Sequence, residues 1–411
     1  MKQPLNALIV KEGEGSQAAI PLGDGIFASR GISNSYLVTT PDGDVLINTG
    51  MYNEADQIRE RFAEVSENPW RVIIFTQGHP DHVGGWSQLT GPGVETIAHA
   101  NHTDVREYFR RLQPFFARRS RQLWNRDVTR VDPTHQPPEP VLTTTFLDSH
   151  AFTLGGRRFE LYSTPGGETT DSLVVWLPDD RIVFTGNMTG PLFGHVPNLY
   201  TIRGDKIRSA RSFLASVDRV IALEPEVLIT GHGEPVRGAA EIRRRFTEIR
   251  DATEYLREQT IAGMNAGTDL WTLMGSITLP PELNIPQGHG KVPWIVRAIW
   301  EEHAGWFRYE NTTELYDVPP EAISGEIADL IDTATLLDRA EAHLAADRPV
   351  HALHFVSIAL VRDPGDRRAL QAKLLAHQQL LERSGRENFS EVRWLEAQIR
   401  DIEARLEGHP A

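Results

Sequence analysis

Thr76-Gln77-Gly78-His79-Pro80-Asp81-His82-Val83-Gly84-Gly85 is the stretch whose reading decides the fold. The run Val72–Phe75 just before it is continuously apolar, the pattern of a strand buried on both faces. Such a strand opens here onto two imidazoles and a carboxylate within four positions, and those groups are costly to bury without a shared partner. A divalent cation satisfies them together, through neutral ring nitrogens and a carboxylate oxygen. The pair Gly84-Gly85 lets the backbone turn tightly beneath the site. The competing reading is a surface loop that is merely rich in His, and the rest of the chain weighs against it.

Working outward, the first half alternates short β-rich runs with turns. Residues 25–39 read as strand, turn and strand, and Asp44–Asn48 follows the turn Pro41-Asp42-Gly43 as another strand. Glu54–Val65 has helical spacing, with Ile58 and Phe62 on one face. Phe159–Ser163, Ser172–Leu177, Ile182–Thr185 and Val227–Thr230 are further strand candidates. Interleaved strands and helices predict an α/β layered domain over residues 1–260. Beyond it the strand signals vanish. Val292–Phe307 is an apolar amphipathic helix, and the chain from Ile323 onward is helical in pattern, broken at Arg348-Pro349 and Asp363-Pro364-Gly365-Asp366. Residues 261–411 are therefore expected to be all-helical, with one helix–turn–helix unit of tetratricopeptide (TPR) type. A single repeat cannot bury its own face and needs another surface, either the first domain or a second subunit.

The 411 residues suit two or three domains, and 40% hydrophobic with 24% charged residues is a globular composition. Against 56 Asp+Glu stand 42 Lys+Arg, a formal charge of −14, which argues against a nucleic-acid partner. With no cysteine, disulfides, thiolate metal sites and cysteine nucleophiles are excluded. The N-terminal stretch does not read as a secretory signal and no apolar run spans a bilayer, so a cytoplasmic location without a membrane span is expected. Residues 104–130 are crowded with Arg and aromatics, including Phe115, Phe116, Arg119 and Trp124. They read either as a solvated helix face with an aromatic inner stripe or as a lid that attracts anions.

The opening motif resembles the His-x-His-x-Asp-His signature of the metallo-β-lactamase superfamily. Leu46-Ile47-Asn48-Thr49-Gly50 resembles its early Asp-containing turn, and Thr164-Pro165-Gly166-Gly167-Glu168-Thr169-Thr170-Asp171-Ser172 its third motif. Phe184-Thr185-Gly186-Asn187 resembles the fourth motif and Thr230-Gly231-His232-Gly233 the fifth. The resemblance implies an αββα sandwich around a metal centre. It narrows to the alkyl sulfatase branch, whose third motif carries Glu where most of the superfamily has His, as at Glu168. Asn198-Leu199-Tyr200-Thr201-Ile202-Arg203-Gly204 resembles that branch's Asn-Leu-Tyr-Thr-x-Arg-Gly segment, whose Asn and Arg hold the sulfate. Val292–Phe307 resembles its dimerisation segment, and residues 347–366 and 388–400 its helical C-terminal region, while no counterpart of its sterol-carrier-like domain is expected.

What the resemblance implies is a metal-dependent hydrolase of a small sulfate ester or related anionic ester, working as a homodimer. Alternatives are a hydrolase of lactones, thioesters or phosphodiesters, or a metal-depleted binding protein. The implied metal residues are Gln77, His79, Asp81, His82, Glu168, Asn187 and His232, with Asp81 also catalytic through orienting a hydroxide. The implied substrate residues are Asn198, Tyr200 and Arg203. Three positions depart from the pattern: Gln77 replaces the first His, Asn48 the early Asp, and Gly186-Asn187 stands where the branch has Glu-Asn. One position, Asp81, His82 and His232, is thus complete and should hold zinc tightly. The other has His79, Glu168 and only the Gln77 amide oxygen, and should hold a second zinc or another divalent metal weakly. His99, His102, His135, His150 and His195 have no ligand-like spacing and are expected on the surface or in loops, with His195 near enough to support the ligands.

Overall fold

The computed structural model describes residues 18–123, 137–206 and 208–408. Strands β1 (Ile20–Gly23), β2 (Ile26–Ser29), β3 (Ser35–Val38), β4 (Asp44–Ile47), β5 (Trp70–Ile74), β6 (Glu95–His99) and β7 (Thr144–Phe146) form one sheet in chain order. It is antiparallel from β1 to β4 and parallel from β4 to β7. Strands β8 (Ser149–Leu154), β9 (Arg157–Ser163), β10 (Leu173–Leu177), β11 (Ile182–Gly186), β12 (Val227–Thr230) and β13 (Val236–Arg237) form the second, with only β11 and β12 parallel.

Alternation along the strands sorts side chains into three layers of core. Val45, Ile47, Val72 and Ile74 meet Leu173, Val175, Phe184 and Ile229 between the sheets. The opposite faces, Leu37, Leu46, Ile73 and Phe75, pack under the helices Ala55–Ala63 and Trp86–Leu89 through Ile58, Phe62, Trp86 and Leu89. On the far side, Val174, Trp176, Val183 and Leu228 take the helices Ala210–Leu223 and Ala239–Asn265 through Phe213, Val217, Phe246 and Ile249. Helix, sheet, sheet, helix is the αββα sandwich expected. The metal motif sits at the carboxyl end of β5, where parallel strands deliver their loops.

The boundary expected at 260/261 falls inside the helix Ala239–Asn265, and the first compact unit continues to Glu302. The reason is apolar: Leu273, Ile285, Val292, Ile295 and Ile299 share one buried cluster with the outer helices. The helix expected to reach Phe307 ends at Ala304, before Gly305 at φ +70°.

The second unit takes up the chain at His303 and is helical. Thr333–Ala345, Pro349–Arg362, Arg367–Arg383 and Phe389–Leu406 follow one another, with Ala340, Ala352, Ala359, Ala369 and Ala376 fully buried in its core. The two breaks read in the sequence are helix starts. Pro349 occupies a first turn, and Asp366 Oδ1 accepts from the Ala369 N–H at 2.9 Å. Among the described residues no helix is long and apolar enough to cross a membrane.

Candidate metal centre

Beyond β5, His79 caps a short helix, Pro80–Val83, with Pro80 in its first turn. The turn after it presses on the loop leaving β4. A Cβ on Gly85 would lie 2.3 Å from Thr49 O, and one on Gly84 2.7 Å from Tyr52 N, so only glycine fits at either. The Thr49 N–H reaches His82 O at 2.7 Å. Asn48, at φ +60°, ties the two strand ends: its amide donates to Thr76 Oγ1 and accepts from the Thr76 N–H, both at 3.0 Å.

His232 arrives from β12, and its turn is held from the other sheet. The Asn34 N–H donates to Gly231 O at 2.8 Å, the Asn34 amide to Gly233 O at 3.1 Å, and the Tyr36 hydroxyl to Thr230 O at 2.6 Å. The Ser33 hydroxyl donates to Asp81 O, so one loop fixes both the Asp81 and the His232 segments.

Asp81, His82 and His232 bring a carboxylate oxygen and two ring nitrogens within 4.8 Å of one another, the one such group of three or more His, Asp or Glu found among the described residues. Asp81 Oδ2 lies 3.7 Å from His82 Nε2 and 3.8 Å from His232 Nε2. Both ring nitrogens of the fully buried His82 lack hydrogen-bond partners, an arrangement that makes sense for a ligand. Burial pushes the His82 imidazole down to about 4, so it is neutral near pH 7, as a ligand must be. Burial works against the Asp81 carboxylate, yet the imidazoles of His82, His232 and His79 hold its pKa below the usual value. A divalent cation fits this position.

The second expected position is not assembled. The Gln77 amide nitrogen meets His79 Nδ1 at 2.7 Å, while the Gln77 Oε1 is buried without a hydrogen-bond partner. His79 Nε2 lies 3.4 Å from Arg203 Nη2 and 3.8 Å from Asp205 Oδ2. Glu168 Oε1 lies 3.1 Å from Arg208 Nη2 and 3.8 Å from Arg203 Nη2. Burial acts to raise the Glu168 pKa, but Arg208 above all, with His79, His289 and Arg203, holds it low. Asn187 lies beside the complete set: its buried Oδ1 has no hydrogen-bond partner and sits against Gly231, where a Cβ would meet both it and the His82 ring.

Of the expected substrate residues, Arg203 is about one third exposed beside His79, and Asn198 Oδ1 is buried without a hydrogen-bond partner. The Tyr200 ring packs against the apolar core beside the outer helices under the Arg297 guanidinium, and burial, together with its hydroxyl bond to Glu301, raises its pKa. Aromatics of the helices His102–Arg111 and Gln113–Leu123 lie against this part of the molecule. Phe109 is 5.1 Å from the His79 ring, and Arg119 donates to the carbonyls of Ile202 and Arg203 at 2.8 Å each. Trp124 and the residues up to 130 lie outside the described residues, as does His135.

His99 and His102 are buried, contrary to expectation. His102 Nδ1 bonds Asp171 Oδ2 at 2.8 Å, and the Thr169 hydroxyl reaches the other carboxylate oxygen. From the same helix the Arg106 Nη1–H donates to Gly78 O at 2.9 Å, so one helix anchors both the first and the third motif. His195 Nδ1 accepts from the Gly288 N–H at 3.1 Å. Two residues of this region escaped the sequence reading. Arg208 carries no motif spacing, whereas His289 stands in a Gly-His-Gly triplet like that of His232, which could have flagged it. His289 is half-buried, its ring against Gly190, and desolvation pushes it down to about 4.

Residues 28–232 match the metallo-β-lactamase superfamily, and the chain carries a domain of that superfamily. Residues 273–394 match the alkyl sulfatase dimerisation domain, so the second part resembles one branch of it. The chain is 26% identical over 403 residues to a linear primary-alkylsulfatase of Pseudomonas sp., covering 91% of this chain and 75% of the relative. It is 23% identical over 338 residues to the alkyl/aryl-sulfatase BDS1 of Saccharomyces cerevisiae, covering 73% and 50%. The solved stereoselective inverting sec-alkylsulfatase Pisa1 from Pseudomonas sp. superposes with a TM-score of 0.81 over 96% of this chain and 66% of that one, at 19% identity, a likeness of fold. The chain thus spans three quarters, half and about two thirds of the lengths of these proteins.

Proposed function

We propose that this chain is a metal-dependent hydrolase of sulfate esters or kindred anionic esters, with zinc held by Asp81, His82 and His232. The observation that carries the substrate class is Arg203, a partly exposed guanidinium 3.4 Å from the His79 ring. A planar guanidinium can donate two parallel hydrogen bonds to a tetrahedral anionic group, which a lactone or thioester does not present. When bound, a divalent ion in such a centre lowers the pKa of a water toward neutrality. Asp81, partly exposed between the two imidazoles, orients what binds there. Phe109 lines the His79 side and limits water. The relatives named above are sulfatases, and the match to a dimerisation domain supports a homodimer built through the helical unit.

The test is a panel of an alkyl sulfate, an alkyl phosphate, a lactone and a thioester, each assayed with zinc and after chelation. Turnover of the alkyl sulfate that vanishes with the metal and returns with zinc is expected. Preference for the neutral esters would overturn the substrate class, and activity indifferent to chelation would overturn the metal.

A further inference from the structure

On the Glu168 side of the centre a guanidinium occupies the place of a cation. Arg208 is buried, and its Nε–H donates to Glu168 O while Nη2 lies 3.1 Å from Glu168 Oε1. Its Nη1–H donates to Asn198 O, and Nη2 also comes within 3.5 Å of Asp205 Oδ2. A buried arginine this fully satisfied holds its carboxylate in a single geometry, and removing either partner leaves the other charge uncompensated. The remaining donors make a poor second position: His79 Nε2 faces the Arg203 guanidinium at 3.4 Å, Gln77 offers only a neutral amide oxygen, and no carboxylate stands at Gly186. Nor can one be added there. Gly186 has φ +52°, and a Cβ would lie 2.4 Å from Thr76 Oγ1 and 2.7 Å from Thr76 Cβ.

We infer that Arg208 takes the role of a second metal ion, so that the centre is mononuclear and Glu168 is an arginine partner. The inference rests on the metal-dependent reading above but not on its substrate. A divalent ion and two guanidiniums then face Asp81, Glu168 and Asp205, leaving the centre one charge positive and still suited to an anion. Arg208 is here a positioning residue: by fixing Glu168 and the Asn198 carbonyl it sets the wall along which Arg203 reaches the substrate.

Metal uptake decides it. Protein stripped of metal is titrated calorimetrically with Zn²⁺ alone, and the bound metal is counted by elemental analysis after dialysis. Wild type, Gln77→His and Glu168→Gln should each take up one equivalent. The double variant Arg208→Met with Gln77→His should gain a second. Two equivalents in wild type, or loss of one on Glu168→Gln, would overturn the inference, as would a folded double variant that still binds one. If the double variant does not fold, thermal melts of Glu168→Gln settle the matter. A drop equal with and without zinc is expected from the broken ion pair, and a drop confined to the zinc-loaded form would make Glu168 a ligand. One zinc bound with no sulfate ester turned over leaves the inference standing and sinks the function. No zinc bound at all sinks both.

Discussion

Arg203 has about a third of its side chain exposed, so its guanidinium can meet an anion, and the buried Glu168 and Asp205 beside it keep the nearer Arg208 as partner when it is removed. Arg203→Ala should therefore lose about 2–5 kcal/mol of transition-state binding toward an alkyl sulfate, read as kcat/KM, with Arg203→Lys recovering part. Thermal stability and zinc content should barely change. A structural salt bridge gives the reverse pattern, because Asp205 and Glu168, at 4.0 and 3.8 Å, would lose a partner and the melting temperature would fall. At this scale the sequence was informative wherever the donors share one short loop. Asp81 and His82 adjoin, and His232 is framed by glycines, so their roles could be read from spacing. Arg208 and Glu168 lie 40 positions apart and meet only through tertiary folding, which no spacing rule reports. The packing of Tyr200 is equally invisible to spacing, since its ring covers part of an apolar cluster assembled from distant helices.

Among the elements, the strand end at β11 couples the fold to the centre. Gly186 O accepts from the Gly231 N–H at 2.7 Å, in the turn that presents His232. Gly186→Ala should cost about 2–4 kcal/mol, combining a left-handed backbone with overpacking against Thr76. Because any relief must move Thr76 or the His232 turn, zinc affinity should fall along with the melting temperature. A variant as stable as wild type, with unchanged zinc binding, would show that the strand end has slack the packing denies. The central strands β5, β10 and β11 were legible because both faces are buried and their apolar runs are continuous, whereas β6 was missed because Glu95, Thr96 and His99 interrupt its run. The edge strands β7 and β8 were missed because they are short or alternate between exposed and half-buried residues, giving little contrast. The helix Ala239–Asn265 hid its extent behind a surface dense in Arg–Glu pairs, such as Arg244 with Glu241 and Glu248, and so drew the domain boundary too early.

At the scale of the whole molecule, the helical unit leaves large apolar side chains in water. Trp306, Tyr309, Tyr316 and Leu330 are 71%, 88%, 69% and 86% exposed, with Leu315, Val318 and Ile323 exposed between them. A run of this kind within 25 residues exceeds the scatter of single apolar residues normal on a monomer surface, and it falls within the stretch that matches a dimerisation domain. A second copy of the chain is the occupant we expect, since the net charge of −14 otherwise keeps identical chains apart and demands an apolar gain to offset it. Sedimentation at micromolar concentration should give a dimer, and the triple substitution Trp306→Glu, Tyr309→Glu and Tyr316→Glu should give a monomer. The first unit has its own core and metal donors, so the monomeric variant should still bind zinc and melt as a folded protein. Wild type sedimenting as a monomer would end the assembly reading. A triple variant that remains a dimer would move the interface to another face of the helices and leave these aromatics unexplained.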